Sequence, residues 1–197
     1  YRANGTLDPD FDGDGKLIST FGTTTYIENS AIALQPDGKI IVAGSCVSGS
    51  DYDFCLARYQ ANGAIDTSFG SGGKVTTPIG SSQDYGYAVA LQPDGKIVVA
   101  GSCGGGTWDF CLTRYQADGA LDVGFGLSGK VTSAIGSAGD FGQAIALQPD
   151  GKIVVAGYCA NGSNDDFCLA RYNGGPFDAR NCSMDIDGDG AVLSTTD

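Results

Sequence analysis

Leu91–Cys103 reads L-Q-P-D-G-K-I-V-V-A-G-S-C, and nearly the same sequence occurs at residues 34–46 and 147–159. After a short variable loop, each copy continues with D-F-C-L-(A/T)-R-Y. The tyrosines that end these motifs, Tyr59, Tyr115 and Tyr172, lie 56 and 57 residues apart. A repeat of this length is one supersecondary unit, which cannot bury its apolar face alone. We therefore expect the repeats to stack.

Each repeat predicts four short antiparallel strands. In the second copy, apolar residues alternate over 87–92, residues 93–95 (Pro-Asp-Gly) predict a tight turn, and residues 96–103 form an Ile- and Val-rich run. Residues 109–116 and 130–135 predict the third and fourth strands. No long stretch has helical periodicity. The predicted fold is all-β, with four-stranded antiparallel blade-like repeats of about 57 residues, as in a partial or oligomer-completed β-propeller.

The strand count predicts incomplete blades at both ends of the array. A lone fourth strand is expected at Lys16–Thr20, and only the first three strands of a unit are expected in residues 137–172. These are complementary parts of one blade, but strands for three blades are too few to close an ordinary propeller ring. Unpaired strand edges are templates for another chain. We therefore expect copies of the chain to complete each other, as a dimeric six-blade ring or a filament. The alternative is that the chain is part of a longer propeller, in which neighbouring blades fill the same edges.

The repeat pattern also carries a family resemblance. The pattern G-x-(I/L)-D-x-x-F-G-x-x-G-K-V, followed by A-(I/V)-A-L-Q-P-D-G-K-I-V-V-A-G, occurs at Gly63–Gly101 and Gly119–Gly157. It resembles the bacterial delta-60 repeat, and the resemblance covers residues 1–172. It implies a β-propeller in a large extracytoplasmic bacterial protein, and it assigns no catalytic residues.

Six of the seven cysteines occur in regularly placed pairs. Each pair spans the end of one predicted strand and the start of the next, where hairpin neighbours approach disulfide distance. Zinc is the alternative, but the chain has no His and no C-x-x-C spacing. We expect disulfides and an extracellular or cell-surface location, with the pairs Cys46–Cys55, Cys103–Cys111 and Cys159–Cys168.

Charge argues against nucleic-acid binding. The formal net charge is −12 and the isoelectric point is about 4.1, so the chain would repel phosphate backbones and anionic lipids. No apolar span is long enough for a membrane helix, and we expect no membrane insertion. The repeated Arg58, Arg114 and Arg171 are either anion-binding forks or, as we favour, structural partners of periodic aspartates such as Asp66 and Asp122.

The chain changes character after Tyr172, so we divide it into a β-repeat region, 1–172, and an acidic tail, 173–197. The tail contains D-I-D-G-D-G at 185–190, which resembles the calcium loop of dockerin-like and EF-hand modules. Alternate carboxylates converge on one cation in such loops. The resemblance implies Ca²⁺ binding, with a solvated acidic tail as the alternative, and the ligands would be Asp185, Asp187 and Asp189, with Asp197 one residue beyond the usual closing position.

A second match to the calcium spacing, D-F-D-G-D-G at 10–15, carries less weight. It aligns with residues 68–73, which predict the same turn without the carboxylates. The turn therefore does not require a metal.

Catalysis has no positive signal in the sequence. The absence of His excludes Ser-His and Cys-His nucleophile systems, and paired cysteines are not free thiolates. Carboxylate-pair chemistry, as in a propeller hydrolase, stays open because Asp is abundant. We expect the chain not to be an enzyme.

Specificity, if the chain binds a partner, is expected in the loops that differ between copies. Residues 47–52, 104–108 and 160–165 vary, and they place Tyr52, Trp108 and Asp165 at equivalent positions. Exposed Tyr and Trp can stack on sugars or anchor a protein, although packing of these rings over the blade edge is the favoured alternative. The sequence thus predicts an extracellular structural or adhesive protein that binds copies of itself, and possible ligands are glycans or a cell-surface protein. A carbohydrate-binding propeller is the alternative.

Overall fold

The structure, a computed structural model, describes residues 2–21 and 27–175, and the regular secondary structure among them is entirely β. Three antiparallel sheets follow one another along the chain. Sheet 1 contains β1 (Ile27–Leu34), β2 (Ile40–Ser48), β3 (Asp51–Tyr59) and β4 (Lys74–Thr77). Sheet 2 contains β5 (Asp84–Leu91), β6 (Ile97–Gly104), β7 (Trp108–Tyr115) and β8 (Lys130–Ser133). Sheet 3 contains β9 (Asp140–Leu147), β10 (Ile153–Asn161) and β11 (Asn164–Tyr172).

Each sheet is a meander in which consecutive strands pair. The register repeats as well, because Ile40 pairs with Tyr59, Ile97 with Tyr115 and Ile153 with Tyr172. The all-β blade-like repeat that the sequence predicts is therefore confirmed. In the described part of the chain, no helix is long and apolar enough to cross a membrane.

The Gln-Pro-Asp-Gly-Lys motif forms the first hairpin turn of each sheet. In sheet 2 the Gly95 N–H donates to the Gln92 carbonyl at 2.9 Å, and the Gln92 N–H donates to the Lys96 carbonyl at 2.8 Å. Gly95 has φ 84°, in the left-handed region where a side chain would be strained. Pro93 and Asp94 fill the preceding turn positions, which Pro and Asp favour.

The apolar core lies between the sheets. Phe54 and Leu56 of β3 pack in one buried cluster with Ile97, Val99 and Tyr115 of sheet 2. The next interface repeats this arrangement one unit later. There, Phe110 and Leu112 of β7 share a buried cluster with Ile153 and Val155, and Tyr172 packs against it. Burial of each such side chain contributes about 1.5–3 kcal/mol, so packing between the sheets contributes much of the stability of the fold.

The predicted lone strand at Lys16–Thr20 is wrong, because this segment has no regular secondary structure. It carries the same pattern as Lys74–Thr77, but β4 forms by pairing with β3. A strand needs a paired neighbour for its backbone groups. Within the described residues, Lys16–Thr20 belongs to none of the three sheets.

Candidate functional site

A row of aromatic rings crosses all three sheets at the end where the variable loops lie. Neighbouring ring centroids are 4.9–5.8 Å apart along the row. The order of the rings is Tyr52, Tyr85, Trp108, Phe141 and Tyr158, and Tyr87 adds a side branch 6.3 Å from Tyr85. We call this set the aromatic row.

The row alternates contacts within a sheet and contacts between sheets. Tyr52 of β3 contacts Tyr85 of β5, and Trp108 of β7 contacts Phe141 of β9, so two contacts join neighbouring sheets. Because each ring packs on the next, the ring faces are partly covered. The structure thus places the two expected ligand residues, Tyr52 and Trp108, in half-buried positions where they also bind the sheets together.

Four members of the row, Tyr85, Tyr87, Phe141 and Tyr158, were not predicted from the sequence. They lie in strands, and their proximity to Trp108 depends on how the sheets pack. The equivalent positions of Tyr85 and Phe141 in the repeat were the available signal. Burial, with a smaller contribution from Glu28, raises the pKa of Tyr85, so its hydroxyl stays protonated at neutral pH.

The loops beside the row are fixed by three disulfides, which are the pairs expected from the sequence: Cys46–Cys55, Cys103–Cys111 and Cys159–Cys168. Each joins the two strands of a hairpin across a Cα–Cα distance of 5.8 Å. The hydroxyl of Thr132 on β8 lies 3.6 Å from the sulfur of Cys111, and Thr76 lies equally close to Cys55. The disulfides indicate that the protein folds in an oxidising compartment.

Buried aspartates fix the connections between sheets near the row. The carboxylate of Asp84 accepts hydrogen bonds from the backbone N–H groups of Ile79 and Gly80, at 2.6 and 3.1 Å. Asp140 accepts the equivalent bonds from Ile135 and Gly136. Burial raises the pKa of Asp84 even though these donors oppose the shift. Because the arrangement occurs at both interfaces, it indicates a structural role.

A second inter-sheet contact joins a serine to a glycine. The Gly86 N–H donates to the Ser45 hydroxyl at 2.9 Å, and the Gly142 N–H donates to the Ser102 hydroxyl at 3.1 Å. A Cβ on Gly86 would meet the Gly44 carbonyl oxygen at 2.9 Å. The sheets therefore approach too closely at this point for a side chain.

Two of the three repeated arginines form the structural pairs that were favoured from the sequence. Arg58 contacts Asp66, and Arg114 contacts Asp122, each at 2.8 Å between Nε and Oδ2. Arg114 also donates to the Gly174 carbonyl at 2.9 Å, beyond the end of sheet 3. These two cations are thus occupied by protein groups, whereas Arg171 is exposed.

The four predicted calcium ligands do not belong to the part of the chain that the structure describes. Asp185, Asp187, Asp189 and Asp197 lie outside the described residues, as does Cys182. The other match, Asp10–Gly15, makes a turn in which the Gly15 N–H donates to the Phe11 carbonyl at 2.7 Å. Gly73 and Gly129 make the same bond in the other copies. Residues 2–21 and 27–175 contain no group of three or more metal-ligating side chains.

The two ends of the array expose apolar surface. On β11, Phe167 is 96% exposed and Leu169 is 68% exposed. On the opposite end, sheet 1 and the segment containing Lys16–Thr20 enclose an apolar cavity of about 340 Å³. Its lining includes Leu17, Ser19, Ile40, Val42 and Tyr59. We call it the N-terminal cavity.

Comparison with known families identifies the repeat. The sequence model of the family described as "Domain of unknown function (DUF5122) beta-propeller" matches residues 35–69, 92–125 and 148–174. Each match begins at the Gln-Pro-Asp-Gly-Lys turn and runs through the disulfide hairpin.

The chain carries three DUF5122 beta-propeller repeats. This agrees with the three sheets of the structure and confirms the propeller-type repeat that the sequence predicts. A search of curated proteins found no match to the chain. The DUF5122 matches end before residue 185, so they do not bear on the calcium loop.

Proposed function

We propose that this DUF5122 chain is an extracellular or cell-surface protein with a structural or adhesive role and no catalytic activity. It presents variable loops from a constant scaffold. The observation that carries the proposal is the combination of three disulfide-linked hairpins of the same register with loops of different sequence at one end. A rigid scaffold with variable loops is typical of recognition proteins.

Two further features support a non-catalytic role. The chain has no His, and the buried carboxylates of Asp84 and Asp140 are held by backbone N–H groups. A hydrolase would need two carboxylates that face each other across an accessible cleft. Asp84 and Asp140 instead serve two equivalent sheet connections.

The proposed role includes assembly of the chain with copies of itself. The outer edge of β11 has no paired strand within the described residues, whereas β3 and β7 are each paired with a short fourth strand. Unpaired edges with apolar residues bind other strands. The acidic net charge of −12 disfavours nucleic acid as a partner.

The adhesive role is tested by retention of protein-coated beads on intact bacterial cells. The test variant combines Trp108→Ala with replacement of residues 105–107 by Ser-Gly-Ser, and we expect its retention to fall several-fold. The matched control is Leu127→Ser, because Leu127 is exposed in a turn at the other end of sheet 2. Equal retention of wild type and loop variant contradicts the loop-presentation proposal.

The aromatic row favours carbohydrate binding as a second candidate function. Aligned half-buried rings offer apolar edges and hydroxyl groups to a sugar, and the acidic surface favours neutral over anionic glycans. We expect affinity electrophoresis in gels that contain neutral polysaccharides to retard the wild type, and Trp108→Ala to weaken the retardation. No retardation by any neutral polysaccharide excludes this candidate.

Calcium binding by the tail is a further part of the proposal. It rests on the sequence spacing of Asp185, Asp187 and Asp189, with Asp197 as the candidate closing ligand. We expect weak binding, because the ligand set is incomplete. Calorimetry with Ca²⁺ that gives the same affinity for the wild type and for Asp187→Ala removes this site.

A further inference from the structure

The interface between neighbouring sheets occurs twice in this chain with equivalent residues. Phe54 and Leu56 on β3 are fully buried against sheet 2, and Phe110 and Leu112 on β7 are fully buried against sheet 3. The receiving surface is also repeated, because Ile97, Val99 and Tyr115 correspond to Ile153, Val155 and Tyr172. At both interfaces, therefore, a Phe and a Leu on the third strand of one sheet pack against an Ile, a Val and a Tyr of the next sheet.

The chain also carries the two surfaces of a third such interface, one on sheet 3 and one on sheet 1, but these two surfaces do not contact each other. The equivalents of Phe54 and Leu56 on β11 are Phe167 and Leu169, which are largely exposed. The equivalents of Ile97, Val99 and Tyr115 on sheet 1 are Ile40, Val42 and Tyr59, and these line the N-terminal cavity. Sheets 1 and 3 share no strand pairing.

The segment Lys16–Thr20 occupies the place of a fourth strand next to the N-terminal cavity. The Nζ of Lys130 on β8 donates to the Pro78 carbonyl at 2.6 Å, just beyond β4. One repeat earlier, the Nζ of Lys74 donates to the carbonyl of Thr20, the residue equivalent to Pro78. The segment is therefore held against sheet 1 as β4 is held against sheet 2, with Leu17 and Ser19 lining the cavity.

We propose that the N-terminal cavity is the docking site for β11 of a second copy of this chain. Phe167 and Leu169 of one copy fill the cavity of the next, while Lys16–Thr20 pairs with the open edge of β11. In sheet 1, Phe54 pairs with Thr77 and Leu56 with Val75. The equivalent register places Phe167 opposite Ser19, and Leu169 opposite Leu17. This inference rests on the assembly part of the proposed function and assigns its interface.

A second copy fits this site because the chain itself carries both complementary surfaces, one at each end of the array. The contact is head to tail, so the first and the last copy of an open assembly each keep one free surface. Further copies therefore add to a filament unless a ring closes. At the junction, we expect the same side chains to be buried as at the two internal interfaces.

The junction differs from the internal interfaces at the aromatic row. Tyr85 and Tyr52 meet at the first interface, but their equivalents at the junction are Glu28 and Asp165. These exposed carboxylates would face each other across the junction and repel. The junction is therefore weaker than the internal interfaces and reversible, and salt strengthens it by screening the repulsion.

Sedimentation of the full chain tests the interface. We expect reversible, concentration-dependent association of the wild type, at least tenfold weaker in Phe167→Ser/Leu169→Ser. Leu127→Ser is the control, because it removes an exposed apolar side chain outside the proposed junction. Glu28→Gln has the opposite expected effect, a several-fold stronger association, which loss of folding cannot produce.

Cross-linking between copies tests the direction and register. In a Cys182→Ser background, one copy carries Lys16→Cys and another carries Ala170→Cys, equivalent to the paired residues Lys74 and Ala57. Oxidation of the mixture should give a cross-linked species that contains one of each copy, and neither variant alone should give it.

The outcomes separate this inference from the proposed function. Association of the wild type that Phe167→Ser/Leu169→Ser leaves unchanged overturns the proposed interface, while self-assembly stands. A wild type that stays monomeric at high concentration overturns both the interface and the assembly, while loop presentation is judged by the bead assay. Cross-links in either single variant overturn the head-to-tail arrangement.

Discussion

The Nε atom of Arg114 lies 2.8 Å from Oδ2 of Asp122, and both side chains are almost completely buried. The guanidinium also lies 4.5 Å from the centre of the Phe125 ring. Removal of one partner from a buried ion pair leaves an uncompensated charge in a medium of low dielectric constant. Loss of one partner of this pair should therefore lower the free energy of unfolding more than loss of one partner of an exposed ion pair.

We expect Arg114→Met to lower the free energy of unfolding by about 3–5 kcal/mol, measured by urea denaturation. Lys96→Met is the control, because Lys96 forms a pair with the partly exposed Asp94 at a turn. That variant should lose less than about 1 kcal/mol. Similar losses in both variants would show that burial of the Arg114 pair is unimportant.

A close approach of sheets 2 and 3 at Gly142 gives a steric prediction. A Cβ on Gly142 would meet the Gly101 carbonyl oxygen at 2.9 Å and Cγ1 of Val155 at 3.1 Å. We expect Gly142→Ala to lower the free energy of unfolding by about 1–3 kcal/mol, because the sheets must separate to admit the methyl group. Gly105→Ala is the control, since its Cβ would meet only Ser81 Oγ, at 3.6 Å. Unchanged stability of Gly142→Ala would contradict the close packing.

The disulfides give a prediction about covalent stabilisation. Cys103 and Cys111 are separated by 8 residues, and chain-entropy arguments assign about 2–3 kcal/mol to a closed loop of this size. The double variant Cys103→Ala/Cys111→Ala should lose about this much in non-reducing urea denaturation. Peptide mapping that finds free thiols at these positions in the wild type would refute the pairing.

Tyr115 gives a prediction about alkaline stability. Burial raises its pKa to about 12, although the hydrogen bond between its hydroxyl and Thr77 opposes the shift. The unfolded chain ionises first, so the contribution is complete below pH 10 and is lost as the pH rises towards about 12. We expect the free energy of unfolding to fall less steeply over this range in Tyr115→Phe. Identical slopes in Tyr115→Phe and the wild type would contradict the assignment.

The strands and disulfides were predictable from the sequence because they depend on local patterns that occur three times. The Gln-Pro-Asp-Gly-Lys turn fixes each hairpin, and the hairpin brings Cys103 and Cys111 together. Lys16–Thr20 was mispredicted because pattern alone does not provide a paired strand.

The aromatic row could not be predicted because its members come from five different strands. Tyr52 and Tyr85 are brought together only by the packing of sheet 1 on sheet 2. The serine–glycine bonds between sheets, such as Ser102 to Gly142, depend on the same packing. Sequence periodicity defines the faces of a sheet, but it does not say which residues of two sheets meet.

The disulfides make the pairing of the hairpin strands independent of the sequence of the loops that join them. In sheet 2, Cys103 and Cys111 close the hairpin directly below residues 105–107. A change of loop length or composition above this closure leaves the strand register below it intact. Each hairpin tip is thus an exchangeable cassette, suited to the grafting of foreign peptides and to rapid divergence of sequence without loss of the fold.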